Sequence, residues 1–249
     1  MNTLVSITTV TYNSEKTLSK TIESILNQTY TNIEYIIVDG ASKDNTVAIA
    51  ESYKEAFENN GISYKIISEP DEGMYDALNK GIAMCTGDIV GNVNSDDYLE
   101  LDGIEKVVKC YEETHFDFMY GNINMIYPDG RVKVRKARIR KLVVSRDWNH
   151  PSQFATRKLY NRERYVADRK HQIHADFDLL LRVRKSDAKI VILDELISNF
   201  RMDGMSHKRS FKDSISRGRE RYRIYRDNGY SFLYFFECVM VETGKLLLG

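Results

Sequence analysis

The chain has 249 residues, 42% hydrophobic and 29% charged, figures ordinary for a soluble globular protein with one large domain, or one domain and an appendage. No run of about eighteen uncharged apolar residues and no basic-apolar-small leader at "MNTLVSITTV" is present, which excludes a helical membrane span and a secretory signal and predicts a cytoplasmic chain. Zero net charge hides a split, for residues 1 to 130 hold 22 of the 36 acidic but 8 of the 36 basic side chains, −14 against +14 in the remainder, which points the second part at an anionic partner, nucleic acid or lipid.

Residues 4 to 10 "LVSITTV", 33 to 38 "IEYIIV", 62 to 68 "ISYKIIS" and 88 to 93 "DIVGNV" are β-branched runs of strand length. Between them, "SEKTLSKTIESILNQ", "KDNTVAIAESYKEAFENN" and "GMYDALNKGIAMC" repeat apolar residues every three or four positions behind polar caps, as amphipathic helices do. The alternation predicts an α/β protein with a mostly parallel sheet flanked by helices, its ligands beyond the carboxyl ends of the strands. Three of those ends are polar: Thr11 to Asn13, Asp39 to Asp44, and Asn94 to Asp97. Neither the dinucleotide G-x-G-x-x-G nor a P-loop occurs, so phosphates need a metal, and Asp96 with Asp97 offers the hard oxygens that Mg²⁺ or Mn²⁺ takes when it also bridges a diphosphate. Alone, such a pair is more often a turn and helix cap, here before "YLELDGIEKVVKCYEET". Cys85, Cys110 and Cys238 are odd in number and widely spaced, as buried free thiols are.

The ordered set "TVTYNSEKTLSKTIESILNQTYTNIEYIIVDGASKDNT", "SEPDEGMYDALNKGIAMCTGDIVGNVNSDD" and "HADFDLLLR" resembles the glycosyltransferase family 2 group over about residues 4 to 205. The resemblance implies the GT-A fold over residues 1 to 205, with a nucleotide-binding half (1 to 98), an acceptor-binding half (99 to 205) and a helical extension (206 to 249). It implies that Val10, Tyr12 and Asp39 hold the nucleoside, that Asp71, Gly73, Asn79 and Gly81 wall the ribose and sugar, and that Asn94 and Ser95 lie toward the ribose. The metal would sit on Asp96, supported by Asp97; Asn94 stands where the family's D-x-D motif opens with Asp, and is a poorer ligand. In "HQIHADFDLLLRVRK", Ala175 stands at the family's Glu and Asp176 at its catalytic base, with Asp178 the nearest competitor. One base and one metal imply a direct, inverting displacement. "WNHPSQF" resembles the acceptor-side strand, which makes Trp148, His150 and Gln153 candidates for acceptor binding. His150, His174 and His207 are candidate third metal contacts, though each such residue is more often a polar surface group.

Farther on, "GRVKVRKARIRKL" follows a "YPDG" turn and alternates basic with apolar residues, as a strand or hairpin arm with a cationic face does. The closing stretch from His207 has two readings: a final core helix burying Tyr222, Tyr225, Phe232, Tyr234 and Phe235, or a peripheral contact with anionic lipid. No stacking aromatics interleave the basic arm and no DNA- or RNA-binding motif is visible, so nucleic acid is not an expected partner. The expected activity moves sugar from a nucleotide-diphospho-sugar, a UDP-sugar first, to a glycan or lipid-diphosphate-linked hydroxyl in cell-surface polysaccharide synthesis. A non-catalytic sugar-nucleotide-binding protein is the alternative, and a sugar nucleotidyltransferase a weaker one, since it wants a Gly-rich basic loop where this chain has "TYNSEKT".

Overall fold

The computed structural model describes residues 3 to 168, 173 to 202 and 211 to 248. The first part runs β1 (Val5–Thr11), α1 (Leu18–Leu26), β2 (Ile33–Asp39), α2 (Thr46–Ser52), α3 (Lys54–Asn59), β3 (Ser63–Ser68), α4 (Met74–Met84), β4 (Ile89–Asn92), β5 (Tyr98–Leu99) and α5 (Gly103–Thr114). The second runs β6 (Phe118–Ile126), β7 (Val132–Arg135), β8 (Phe154–Thr156), α6 (Arg157–Arg162), α7 (Ala175–Lys185), β9 (Ile190–Arg201), α8 (Phe211–Asp227) and α9 (Tyr234–Leu248).

Side chains of β2 alternate, Tyr35 and Ile37 to one face and Ile36 and Val38 to the other, and both sets are buried. A strand apolar on both faces needs helices on both. Leu18, Ile22, Phe57 and Val107 from α1, α3 and α5 cover the first face; Leu78 and Ile82 of α4, Phe177 and Leu181 of α7, and Tyr225 of α8 cover the second. Cys85, Cys110 and Cys238 are free and buried, as expected.

The described sheet has nine strands in the order β3-β2-β1-β4-β8-β6-β9-β5, with β7 on β6. β1 to β4 are parallel, so β1, β2 and β4 end at one edge. β8 runs antiparallel to β4, pairing Gly91 with Phe154, so the residues entering β8 arrive at that same edge. This one reversal delivers His150 to the ends of the parallel strands.

Two expectations change. The single helix over 43 to 60 is two, because the chain turns at Tyr53, whose hydroxyl reaches the Glu23 carboxylate at 2.8 Å while Phe57 stacks on Tyr64 with ring centroids 4.3 Å apart. Of the basic arm only β7 is strand; Asn122 Oδ1 then accepts from the Ala137 N–H at 2.9 Å and ends the pairing.

The described part of the extension shares the core of α7. Tyr225 stacks on Tyr234 at 4.2 Å, and Glu242 of α9 accepts from Arg217 at 3.1 Å and Arg221 at 3.0 Å on α8. The two readings of the tail therefore divide it: Tyr225 is core, whereas Phe232 and Phe235 are exposed.

Candidate active site

At the end of β1, Asn13 takes a left-handed φ of 50°, which Asn tolerates, and its side-chain oxygen accepts from the Lys43 N–H at 2.8 Å. That bond ties the end of β1 to the loop after β2. Tyr12 beside it is 61% exposed, which removes the core-packing explanation for this ring and leaves its face open to a base. Gly40 sits between Tyr12 and Asp71: a Cβ there would lie 2.4 Å from the Asp71 carboxylate and 3.5 Å from the Tyr12 ring, so a larger residue would displace the Asp71 side chain. Asp71 accepts from the Gly73 N–H at 2.8 Å, and Gly73, at φ 123°, turns the chain into α4.

Beyond β4 the Asp97 N–H returns to the Asn94 carbonyl at 3.0 Å, a tight turn with Ser95 and Asp96 at its corner. The Ser95 hydroxyl meets that of Ser14 at 2.9 Å. Asp97 points inward, accepting from the Arg201 N–H at 3.0 Å and from Asn94 Nδ2 at 3.4 Å. Burial first, then the Asp96 charge, pushes its carboxyl well above the usual range. Asp96 stays half-buried at the corner, and Asn94 Oδ1 is a buried oxygen with no hydrogen-bond partner among the described residues.

The third wall comes from α7. Asp176 lies in its first turn, half-buried, its Oδ1 accepting from the Phe177 N–H at 2.7 Å. Tyr75 of α4 donates its hydroxyl to the Ile173 carbonyl at 2.9 Å, and burial, then the nearby Asp176 carboxylate, raises the Tyr75 phenol far above its ordinary range. The loop-and-helix after β3 and the residues leading into α7, 98 positions apart at this contact, thus meet at this tyrosine. His150 stands in the same corner; burial holds its imidazole below the ordinary value although Asp176 pulls the other way. Asp178 is 4% exposed and engaged with Arg182 at 2.8 Å and Asn228 at 2.7 Å.

This arrangement of strand ends matches one known family. The model of Glycosyl transferase family 2 aligns with residues 6–187. The chain belongs to that family. The Escherichia coli chondroitin synthase is 30% identical over 164 residues, 66% of this chain, which spans only 21% of that protein. Among solved structures, the mannosyltransferase PcManGT of Pyrobaculum calidifontis, in complex with GDP-Man and Mn²⁺, superposes over 97% of this chain and 71% of its own at a TM-score of 0.70 and 15% identity. S. aureus TarS 1-349 in complex with UDP-GlcNAc superposes over 97% and 72% at 0.66 and 18% identity. Such likenesses show the fold, the GT-A arrangement.

In this family-2 chain several motif residues turn out to support the site from beneath. Val10 packs its side chain into the core, leaving only its backbone toward a nucleoside. Asp39 is 1% exposed, and its carboxylate accepts from the Ser42 N–H at 2.9 Å, the Ser42 hydroxyl and the Ser68 hydroxyl at 2.6 Å, which leaves one acceptor position, on Oδ1, for a further donor. The Asn79 amide is engaged from behind the site. Both ends of its amide hold the Tyr165 backbone, at 2.8 and 3.2 Å. Gly81 lets α4 press on Thr8 and Val38, where a Cβ would come within 3.3 Å.

Of the acceptor-side candidates, Trp148 is core, tilted against Phe177 and edge-on to His150, because β8 draws the segment under the sheet edge. Gln153, 1% exposed, donates to the Tyr160 hydroxyl at 2.9 Å. His150 alone of the three remains at the corner. His174 caps α7 and meets Arg221 at 3.2 Å, and among the described residues no three carboxylate, imidazole or thiol groups converge on a point; His207 lies outside them. Asp176 is not the helix cap: that position is His174, whose N–H, like that of Ile173, is held by Glu220 of α8 at 3.0 and 2.9 Å. Gly40 and Tyr75 were in the quoted motifs and findable there; Tyr165 and Glu220 stand in stretches with no motif.

Proposed function

We propose that the chain moves a hexosyl unit from a nucleotide-diphospho-sugar, a UDP-sugar first, to a hydroxyl of a glycan or lipid-linked acceptor in cell-surface polysaccharide synthesis, with inversion. The observation that carries this reading is the contrast between two neighbouring carboxylates. Asp178 is buried in an ion pair, while Asp176 is half-exposed beside Tyr75 and His150 at the edge where the nucleotide-side strands end. The acceptor oxygen attacks the anomeric carbon as the nucleoside diphosphate leaves from the opposite face, and the acceptor proton passes to Asp176, a service worth roughly 10² to 10⁴ in rate.

A divalent cation, Mn²⁺ or Mg²⁺, fits the Asn94–Asp97 turn. Asp96 offers a carboxylate at the corner and Asn94 Oδ1 is an orphaned buried oxygen, a hard but sparse donor set that suits an ion sharing its coordination with substrate phosphates. Asp97, turned to Arg201, steadies the turn. A cation bound there would offset charge on the departing diphosphate. Support for cation and donor class comes from the Mn²⁺ and GDP-Man held by the mannosyltransferase neighbour and the UDP-GlcNAc held by TarS.

The extension adds a partner to this reading: an anionic lipid surface, with the enzyme on the cytoplasmic face of a membrane. No described helix is long and apolar enough to cross one. Instead Phe235, Phe236, Val239 and Met240 stand exposed along α9, with Phe232 just before it, and the segment that carries the exposed Arg138, Lys141 and Arg146 is tied to the extension through Val143, whose backbone bonds Tyr225 and Tyr234 at 2.7 and 3.2 Å. Grease flanked by cations suits a headgroup layer.

The donor is tested by thermal shift with UDP-, GDP- and dTDP-sugars, with and without Mn²⁺. One nucleotide series should raise the melting temperature in a metal-dependent way. If none of the three shifts it, the donor class is wrong. Proton NMR of the product should show the anomeric configuration inverted; retention rules out single displacement.

A further inference from the structure

A buried hydrogen-bond network behind the site has no part in the mechanism so far. The Tyr165 hydroxyl lies 3.1 Å from Asn92 Nδ2, 3.4 Å from Gln153 Nε2, 3.1 Å from His150 Nε2 and 3.5 Å from the Tyr160 hydroxyl. A phenol has one hydrogen to give and two lone pairs. Asn92 turns its NH₂ toward the tyrosine pair, donating to Tyr165 and, at 3.2 Å, to Tyr160, while its Oδ1 accepts the Thr8 hydroxyl. Gln153 donates from the other side. With both lone pairs taken, the phenol hydrogen goes to an acceptor, and the ring nitrogen of His150 is the nearer of the two within reach. An accepting Nε2 carries no hydrogen, which leaves the imidazole proton on Nδ1.

We propose that Tyr165 is a positioning residue that fixes His150 as the neutral Nδ1–H tautomer, so that His150 stands beside Asp176 as a hydrogen-bond donor to a sugar hydroxyl and not as a second base. Tyr165 cannot easily turn away. Asn79 clamps its backbone at 2.8 and 3.2 Å, and its ring packs against Tyr75 with centroids 5.5 Å apart. The groups facing His150 are Tyr165, the edge-on Trp148 ring and, from α7, the Asp176 carboxylate. Only the last favours a cation, and burial outweighs it. The consequence is chemical: an imidazolium here would stabilise the Asp176 carboxylate and weaken it as a proton acceptor, whereas a neutral donor leaves its basicity intact.

The inference rests on the reading of Asp176 as base, but its test does not. Long-range ¹H–¹⁵N NMR of histidine-labelled protein at pH 7.5, with the His150 signals assigned by their loss in His150→Gln, reads the tautomer without any substrate. Wild type should show a protonated Nδ1 and a bare Nε2. Tyr165→Phe should shift His150 toward a mixed pattern, leave His174 unchanged, and raise the acceptor KM roughly five- to tenfold with donor affinity retained, the loss of about one hydrogen bond. A proton on Nε2 in wild type, as the other tautomer or as imidazolium, overturns the proposal whether or not the variant folds. So does a Tyr165→Phe protein with wild-type tautomer and KM. Full turnover in Asp176→Asn together with the expected tautomer would fault the base and leave this assignment standing.

Discussion

At the scale of single residues, adjacent carboxylates differ in how deeply the turn buries them. Asp97 holds the Arg201 N–H and is buried, while Asp96 stands at the turn corner. Asp96→Ala should therefore abolish Mn²⁺-dependent nucleotide binding in calorimetry and leave the melting temperature near wild type. Asp97→Ala, which strands a buried N–H, should lower stability by about 1–3 kcal/mol. Unchanged metal-dependent binding in Asp96→Ala would remove the ion from this turn. Glu34, at the opposite edge of the sheet, shows the same logic in pH. Burial pushes its carboxyl up, but the Ser6 and Thr86 hydroxyls and the Thr86 and Gly87 N–H groups together hold it below its ordinary value. A lowered folded value means stability fully present above the unfolded Glu range, about pH 4.3, and lost as pH falls through the lower folded value. Denaturant unfolding should show Glu34→Gln less stable than wild type at pH 7, with the gap closing below about pH 4; a gap constant across that range would contradict the assignment.

Among elements, α8 is the piece whose role exceeds its place in the sequence. Its Glu220 accepts from both the Ile173 and His174 N–H groups and so caps the helix that carries Asp176, while its Tyr225 is in the core. Glu220→Ala should cost about 1–3 kcal/mol and, on the proposed role of Asp176, reduce turnover, because Glu220 holds the N–H groups that open the turn carrying Asp176, with Glu220→Gln restoring part of both. A stability loss with wild-type turnover would show that the cap does not position the base. α9 divides by face. Removing it opens the core at Cys238 and Val241 and breaks the Glu242 pairs, so truncation from residue 230 should unfold the protein. The exposed face is better probed by Phe235→Ser with Phe236→Ser, which should leave the fold intact and strongly reduce sedimentation with anionic liposomes. Equal sedimentation of variant and parent would exclude this face as the lipid contact.

For the whole molecule, what was legible from sequence follows chain locality. β1, β2 and β4 stand out because parallel strands buried on both faces read as continuous apolar runs, and the half-exposed edge strand β3 stands out by its isoleucines and tyrosine. β5 and β8 span two and three residues, too short for any periodicity to show, and the reversal at β8 that carries His150 to the ends of β1, β2 and β4 is a tertiary event. The site divides likewise. Tyr12, Asp71, Asp96 and Asp176 could be named from motifs, but a motif says nothing of a partner far along the chain: Asn79 resembles a wall residue until Tyr165, 86 positions on, is seen in its grip. The burial of Trp148 and Gln153 is not legible either, because a segment at the sheet edge and one drawn beneath it look alike in sequence.

These scales meet in Asp176, placed by a helix start that α8 caps and set beside Tyr75 from the nucleotide side. The most direct test is the turnover number of Asp176→Asn with a donor that it binds at wild-type affinity. Turnover should fall by about 10² or more, because the amide keeps the shape but cannot take the acceptor proton. Near-wild-type turnover in that variant would contradict the account.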